Sequence, residues 1–347
     1  MYDIVVLGAG AVGLSTAVCI QNALPGRQVT IIADKFTTET TSHGAAGIFR
    51  PTTEKTPVKS LEQFRKWCTD SFAWFHLLNT ELDPAQTGVS RVTGYQFLEQ
   101  PSEKLPFHHD IIYNFRTLTD QELKSLPGNH KAGWTYTTLM IESRRYLPWL
   151  TKRFLSQGGT LESRTVNDIR SFAGRCSVLV NCCGLGAAPL CNDPDVFPVR
   201  GHLVRVLAPW MKHFYVWDGG DSYIYPGQDN IAIGGTRHVG EYDVIKDADY
   251  WFKDVLDRST RLFPALKDAH IDRKWVGLRP HRTYLRLETE TVRCGEQTLK
   301  VVHNYGHGAN GIALSWGTSL EAAALVRQTS VAAATLVRQT SSVNSKL

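Results

Sequence analysis

No apolar run in this 347-residue chain approaches the roughly 20 residues that a helix needs to cross a bilayer, which argues against a membrane span. The first residues lack the basic start and small-residue cleavage site of a secretory signal and read as a strand. The seven cysteines (Cys19, Cys68, Cys176, Cys182, Cys183, Cys191 and Cys294) are odd in number and lack CxxC spacing. That pattern speaks against a zinc site and a disulfide framework, and it fits a reducing compartment. The adjacent pair Cys182–Cys183 reads as core thiols, since neighbouring cysteines bridge only with strain. The net charge of +5 is small and the basic residues are scattered, so a nucleic-acid-binding stripe is not expected.

What the chain does have is ordinary globular composition, 42% hydrophobic and 20% charged, in a length that suits two domains. Its organising stretch is Met1–Asp34. Ile4–Leu7 is a short apolar run suited to a strand buried on both faces. Gly8, Gly10 and Gly13 then form GxGxxG, Ala11–Ile20 can be a helix, and Val29–Ala33 is a second buried strand closed by Asp34. This strand–turn–helix–strand order is that of a dinucleotide-binding unit. Gly8 allows the tight turn, Gly10 the approach of a pyrophosphate, and Gly13 close helix–strand packing; Asp34 can accept from a ribose 2′-OH. The motif alone leaves FAD and NAD open.

The following loop offers hydroxyls at Thr40, Thr41 and Ser42 and small residues at Ala45, Ala46 and Gly47, which suit contact with a cofactor. Arg50, held extended by Pro51, is either a surface arginine or a lining residue of the site. Leu61–Leu82 reads as a helix whose aromatic stripe belongs to the core. Strands are expected at Ser90–Leu98 and Asp110–Leu118, and a capping box starts a helix at Thr119–Glu122. Ser143 is the expected cap of a helix carrying Tyr146, Leu147, Leu150 and Phe154.

Ser177–Cys183 reads as a returning strand of the dinucleotide sheet, and Phe197–Leu207 and Ser222–Gly235 as antiparallel strands. Asp247–Leu262 is an amphipathic helix, Trp275–Glu288 a strand entered through Arg279–Pro280, and a long helix follows from about Ile312. Leu325–Ser330 recurs as Leu336–Ser341, about three helical turns on, which reads as a helix extension. The C-terminal tripeptide Ser345-Lys346-Leu347 has the form of an address read by the peroxisomal import receptor, so a peroxisomal location is expected.

The alternation of patterns gives an α/β chain. A Rossmann-like FAD-binding domain (1–50, 140–190 and 270–342) interleaves with a mixed or antiparallel sheet substrate-binding domain (51–139 and 191–269). A flexible tail, 343–347, follows, and the site is expected where the domains meet.

With NCCGLG, PVRGHLVRV, APWMKHF, YIYPG, GGTR, VGLRP and HNYGHGANGI in one order, nearly the whole chain resembles the D-amino-acid oxidase family. The resemblance implies FAD as cofactor. It implies oxidation of a D-amino acid to an imino acid, which water converts to a 2-oxo acid and ammonia, with O₂ reduced to hydrogen peroxide. Gly234-Gly235-Thr236-Arg237 favours the branch that acts on acidic substrates (D-aspartate, D-glutamate, N-methyl-D-aspartate), because the branch for neutral ones carries an apolar pair at Thr236-Arg237.

By family match, Arg279 takes the substrate α-carboxylate, Tyr223 adds a hydrogen bond, and Arg237 takes the distal carboxylate; no side chain need act as base. The cofactor contacts implied are Gly8, Ala9, Gly10, Val12, Gly13, Asp34, Lys35, Thr40, Thr41, Ser42, Ala46, Gly47, Ile48, Val166, Gly308, Gly311 and Ile312. His307 reads as cofactor packing or a structural hydrogen bond. Three positions depart from the family pattern: Val216 where an arginine is common, Ala309 for a serine, and Arg50 for an uncharged residue. Arg50 is a candidate replacement for the missing arginine.

Overall fold

The computed structural model describes residues 2–217 and 221–344, with side chains described as far as residue 330. Ser345, Lys346 and Leu347 lie outside the described residues, as do the side chains of the second LVRQTS copy. One sheet organises the molecule. In chain order its strands are β1 (Ile4–Leu7), β2 (Val29–Ala33), β3 (Val89–Leu98), β4 (Tyr113–Thr117), β5 (Ala132–Ile141), β6 (Thr160–Ser163) and β7 (Val178–Asn181). They continue as β8 (Val196–Leu207), β9 (Phe214–Trp217), β10 (Ser222–Pro226), β11 (Ile231–Gly234), β12 (His238–Val239), β13 (His270–Cys294) and β14 (Gln297–His307). The spatial order is β4-β5-β3-β9-β10-β11-β8-β13-β14-β7-β1-β2-β6, with β12 paired to β8 off that path.

The β14-β7-β1-β2-β6 end is parallel. Its strands are runs of β-branched and aliphatic residues because both faces are covered. Ile4 and Val6 join one core cluster with the helix Ala11–Ala23, while Val5 and Leu7 join another with Ile169 and Phe172. The helices Ala11–Ala23 and Gly311–Asn344 pack closely through small residues, and the buried hydroxyls of Thr16 and Ser319 lie 2.8 Å apart at their contact. The helix Leu61–Glu81 presses on the second of these: a Cβ at Gly317 would fall 2.1 Å from the Trp67 carbonyl oxygen. The stripe of Phe64, Trp67, Phe72, Phe75 and Leu78 is buried, and Trp74 stacks on Trp316 at 3.6 Å.

The rest of the sheet is antiparallel except where β3 runs parallel to β9. β13 joins the two regions. Residues 270–282 pair with β8, residues 286–294 with β14, and a register break lies between His281 and Arg286. Arg279 and Pro280 sit just before that break, which accommodates a proline in an otherwise central strand.

Several local expectations hold. Thr119 and Glu122 form the reciprocal capping box of the helix Asp120–Ser125. Two shift. The helix Ser143–Ser156 begins at Ser143 but is capped by Glu142, without a side-chain hydrogen bond, because the Glu142 carboxylate is turned to the half-buried Arg144 and the buried Arg205. The strand expected at Asp110–Leu118 shortens to Tyr113–Thr117, since His108–Ile112 close hydrogen-bonded turns instead.

Candidate active site

β1 delivers the chain into the glycine turn. Gly8 has φ +99°, and a Cβ there would meet the Cys182 carbonyl oxygen at 2.6 Å, so the turn admits only glycine. A Cβ at Gly13 would fall 1.9 Å from the Gly8 carbonyl oxygen, so the helix seats directly on the turn. That helix starts at Gly10 with no side-chain cap and no acid in its first turn. Its N-terminus is therefore open to an anion, apart from the Ala11 N–H, which donates to Ser42 Oγ at 3.0 Å.

From this turn a cleft of about 630 Å³ runs across the sheet to the end of β10 and β13. Gly8, Ala9, Gly10, Val12, Asp34, Lys35, Thr40, Thr41, Ser42, Ala46, Gly47 and Ile48 line one stretch of it. Gly308, Gly311 and Ile312 line the part formed by the glycine loop after β14. Gly47 is bound to left-handed backbone (φ +84°) and to close approach, because a Cβ would meet the Ile141 carbonyl oxygen at 1.9 Å. The donor set fits FAD: open helix N–H groups and hydroxyls for a diphosphate, an exposed carboxylate at Asp34 for a ribose, and small residues for a flat ring. Two expected contacts fall elsewhere. Gly13 packs against the turn and does not line the cleft, and Val166 packs beside Ile169 and Phe172 under the parallel strands.

At the other end Arg279, Tyr223 and Arg237 line the same cleft. Arg279 Nη1 donates to the Thr236 carbonyl at 3.0 Å, and its guanidinium lies beside the Tyr223 hydroxyl. Two glycines make the room. A Cβ at Gly201 would fall 2.3 Å from both terminal nitrogens of Arg279, and one at Gly234 would fall 2.3 Å from the Tyr223 hydroxyl. Burial pushes the Tyr223 phenol up to about 12, so near neutral pH it is a hydroxyl able to donate to a carboxylate. Burial lowers Arg279, with Tyr223 acting against it, and a guanidinium remains charged.

Further residues complete this end. His202 Nδ1 lies 2.7 Å from Thr236 Oγ1, fixing the residue between the two site elements. Tyr225 stacks on Tyr223 at 4.2 Å. Lys55 lines the cleft and pairs with Asp221 at 3.6 Å; burial and then the Arg50 charge push its amine down to about 7. Trp275 lies over Gly44 and Gly277, where a Cβ would come within 2.0 and 1.9 Å of the indole. Arg50 faces into the cleft, whereas Val216 is fully buried on β9 opposite Tyr223. Ala309 lines the cleft beside Gly308.

His307 is buried with Nε2 3.0 Å from Thr318 Oγ1. Burial pushes its imidazole down to about 3, so it is neutral and serves as a structural hydrogen-bonding group. Lys55, Asp221, His202, Tyr225 and Trp275 escaped the sequence reading. Only the glycines Gly201 and Gly277, placed within strand patterns, signalled that something lies close to the backbone there.

A dinucleotide-sized cleft that ends at buried arginine and tyrosine side chains suits a cofactor-dependent oxidoreductase that acts on a small acid. The family described as FAD dependent oxidoreductase matches residues 3–325. D-aspartate oxidase from Homo sapiens is 42% identical over 322 residues, spanning 92% of this chain and 93% of that protein. D-aspartate oxidase 2 from Caenorhabditis elegans is 33% identical over 328 residues, spanning 92% and 95%. The structure of glycine oxidase from Geobacillus kaustophilus superposes with a TM-score of 0.77 at 23% identity, covering 94% of this chain and 95% of that one. The chain is a member of the FAD-dependent oxidoreductase family, and the mixed α/β fold expected from its sequence is that of its structural neighbours.

Proposed function

We propose that this enzyme oxidatively deaminates acidic D-amino acids, D-aspartate first among them, to 2-oxo acids and ammonia, with O₂ as electron acceptor and hydrogen peroxide as product. The observation that carries the reading is the charge at the clamp end of the cleft. Arg279 and Arg237 come from separate elements, and Arg50 and Lys55 add two more basic groups to the cleft, against the single Asp221 carboxylate that Lys55 pairs with there. A substrate with one carboxylate leaves that excess unanswered, and a substrate with two answers it. The 42% identity to a D-aspartate oxidase over nearly the whole chain supports the same substrate class.

Arg279 would grip the α-carboxylate as a fork, with the Tyr223 hydroxyl as a second donor and Thr236 holding the guanidinium in place. Arg237 would hold the distal carboxylate, so that two charged anchors fix the Cα–H direction. Bound FAD would supply the acceptor for the hydride from Cα. The buried walls exclude water from the charges they carry, which strengthens each contact. We further propose import into the peroxisome through Ser345-Lys346-Leu347, a location that suits a peroxide producer.

A peroxide-coupled assay over D- and L-amino acids tests the reaction. D-aspartate is expected to lead, with L-aspartate inert and neutral D-amino acids slow. Fastest turnover on D-alanine or D-proline would overturn the acidic assignment. For location, removing the last three residues should leave a tagged chain in the cytosol; unchanged peroxisomal import would refute that route.

A further inference from the structure

Arg50 is 8% exposed, and its Nε has no hydrogen-bonding partner. Its guanidinium lies beside the Tyr225 hydroxyl and feels the charge of Asp221, but forms no direct ion pair with a carboxylate among the described residues. Asp221 also pairs with Lys55, so the two cations share one carboxylate, and a bound anion would answer the charge left over. The backbone here does not let the side chain swing out to water. Phe49 N donates to Leu139 O, Thr138 Oγ1 to Phe49 O, and Ile48 bridges Met140, so the segment is pinned along β5 up to Pro51. Position 50 therefore aims a fixed, incompletely paired guanidinium into the cleft.

Lys55 stands beyond it on the same strap. The strap is tied to the glycine loop, with Asn310 Nδ2 donating to Thr52 O at 2.7 Å. The Lys55 amine feels the charges of Arg50, Arg279 and Arg237 together, which places it among them. On the opposite strand pair, Val216 is the residue cross-strand from Tyr223, and it is apolar and buried. Among the described residues that strand pair turns no cation to the cleft, and the strap carries two.

We propose that Arg50, backed by Lys55, forms a second anion subsite that holds the side-chain carboxylate of the acidic substrate together with Arg237. The inference rests on the acidic-substrate reading above and specifies where its selectivity resides.

The test uses FAD-loaded enzyme and three readouts on one variant. Succinate and butyrate, which share a four-carbon chain, are titrated by calorimetry. Arg50→Met should weaken succinate about 10- to 100-fold more than butyrate, the scale of a lost charged hydrogen bond. The ratio of kcat/KM for D-aspartate over D-alanine should fall by a similar factor. Without ligand, a thermal melt of Arg50→Met reads its effect on the fold separately from its effect on the two ratios. A purely structural arginine would lower the melting temperature and leave both ratios unmoved, and that result would overturn the proposal.

If Arg50→Met does not fold, Arg50→Lys carries the test. A single ammonium cannot reproduce the fork, so a drop in the succinate-to-butyrate affinity ratio of roughly threefold or more is expected, and an unchanged ratio overturns the subsite. Wild-type enzyme that ignores D-aspartate yet binds succinate through Arg50 would sink the reaction while sparing the subsite.

Discussion

Replacing Gly201 by alanine should disable the carboxylate clamp without unfolding the protein. Gly201 lies in β8 opposite Gly277, in backbone that any residue can adopt. An added Cβ would sit 2.3 Å from Arg279 Nη1 and Nη2 and 2.4 Å from Cζ. A carbon against these atoms needs roughly 3.5–4 Å, so the guanidinium must retreat by about 1 Å or more. Its bond to the Thr236 carbonyl, 3.0 Å long, leaves little slack for a displacement of that size. The tip of a flexible side chain can move, so the fold is spared and the site geometry is not. Misplacement of a positioning group by about 1 Å costs about 100-fold in rate, or about 2.7 kcal/mol of transition-state stabilisation.

Because the α-carboxylate is common to all substrates, D-aspartate and D-alanine should lose kcat/KM alike. Steady-state peroxide assays on both, beside a thermal melt, measure this. A variant that stays within about threefold of the wild type on both substrates would show that Arg279 does not hold the carboxylate, and the clamp argument would fall.

Arg237→Ala should instead separate the substrates, lowering kcat/KM for D-aspartate by about 10- to 100-fold and D-alanine far less; equal losses would remove its distal role. Lys55 predicts a pH effect. Its amine, ordinarily near 10.5, is lowered to about 7 by burial and by Arg50. The charged form is disfavoured in the fold, so its penalty on stability is full below pH 7 and is relieved as pH rises from 7 toward 10.5. Binding of a dianion needs the charged form, so succinate affinity should fall as pH rises above about 7, by at most about tenfold per unit. Lys55→Arg should flatten that profile, and a flat wild-type titration between pH 6 and 9 would contradict it. Glu142→Gln should destabilise by about 3–5 kcal/mol in urea, since it leaves the fully buried Arg205 guanidinium, 3.4 Å away, without its counter-charge. An unchanged midpoint would refute that weight.

What could be read in advance was local. The dinucleotide unit announces itself within 34 residues, because a glycine turn between two β-branched runs has few other uses. The capping box at Thr119–Glu122 was legible for the same reason: its two partners are three residues apart. Ser143 misled because the competing influence is distant. Glu142 is drawn to Arg144 and Arg205, and a buried ion pair decides where the helix begins. Lys55 gave no signal, since a lysine in a threonine-rich loop looks like solvent-facing chain until Asn310 ties that loop to the cleft.

The clamp itself shows why the remaining steps were closed to sequence reading. Arg279 reaches the cleft because β13 pairs with β8 in the register that sets Gly277 against Gly201. A slip of one residue would turn every β13 side chain to the other face. It would set Leu278 against Gly201 and take the guanidinium away from the space that this glycine leaves. Motifs can nominate an arginine for a carboxylate, but pairing between strands some 75 residues apart gives it the room to lie flat. Selectivity in this cleft therefore belongs as much to the glycines that yield space as to the cations that use it.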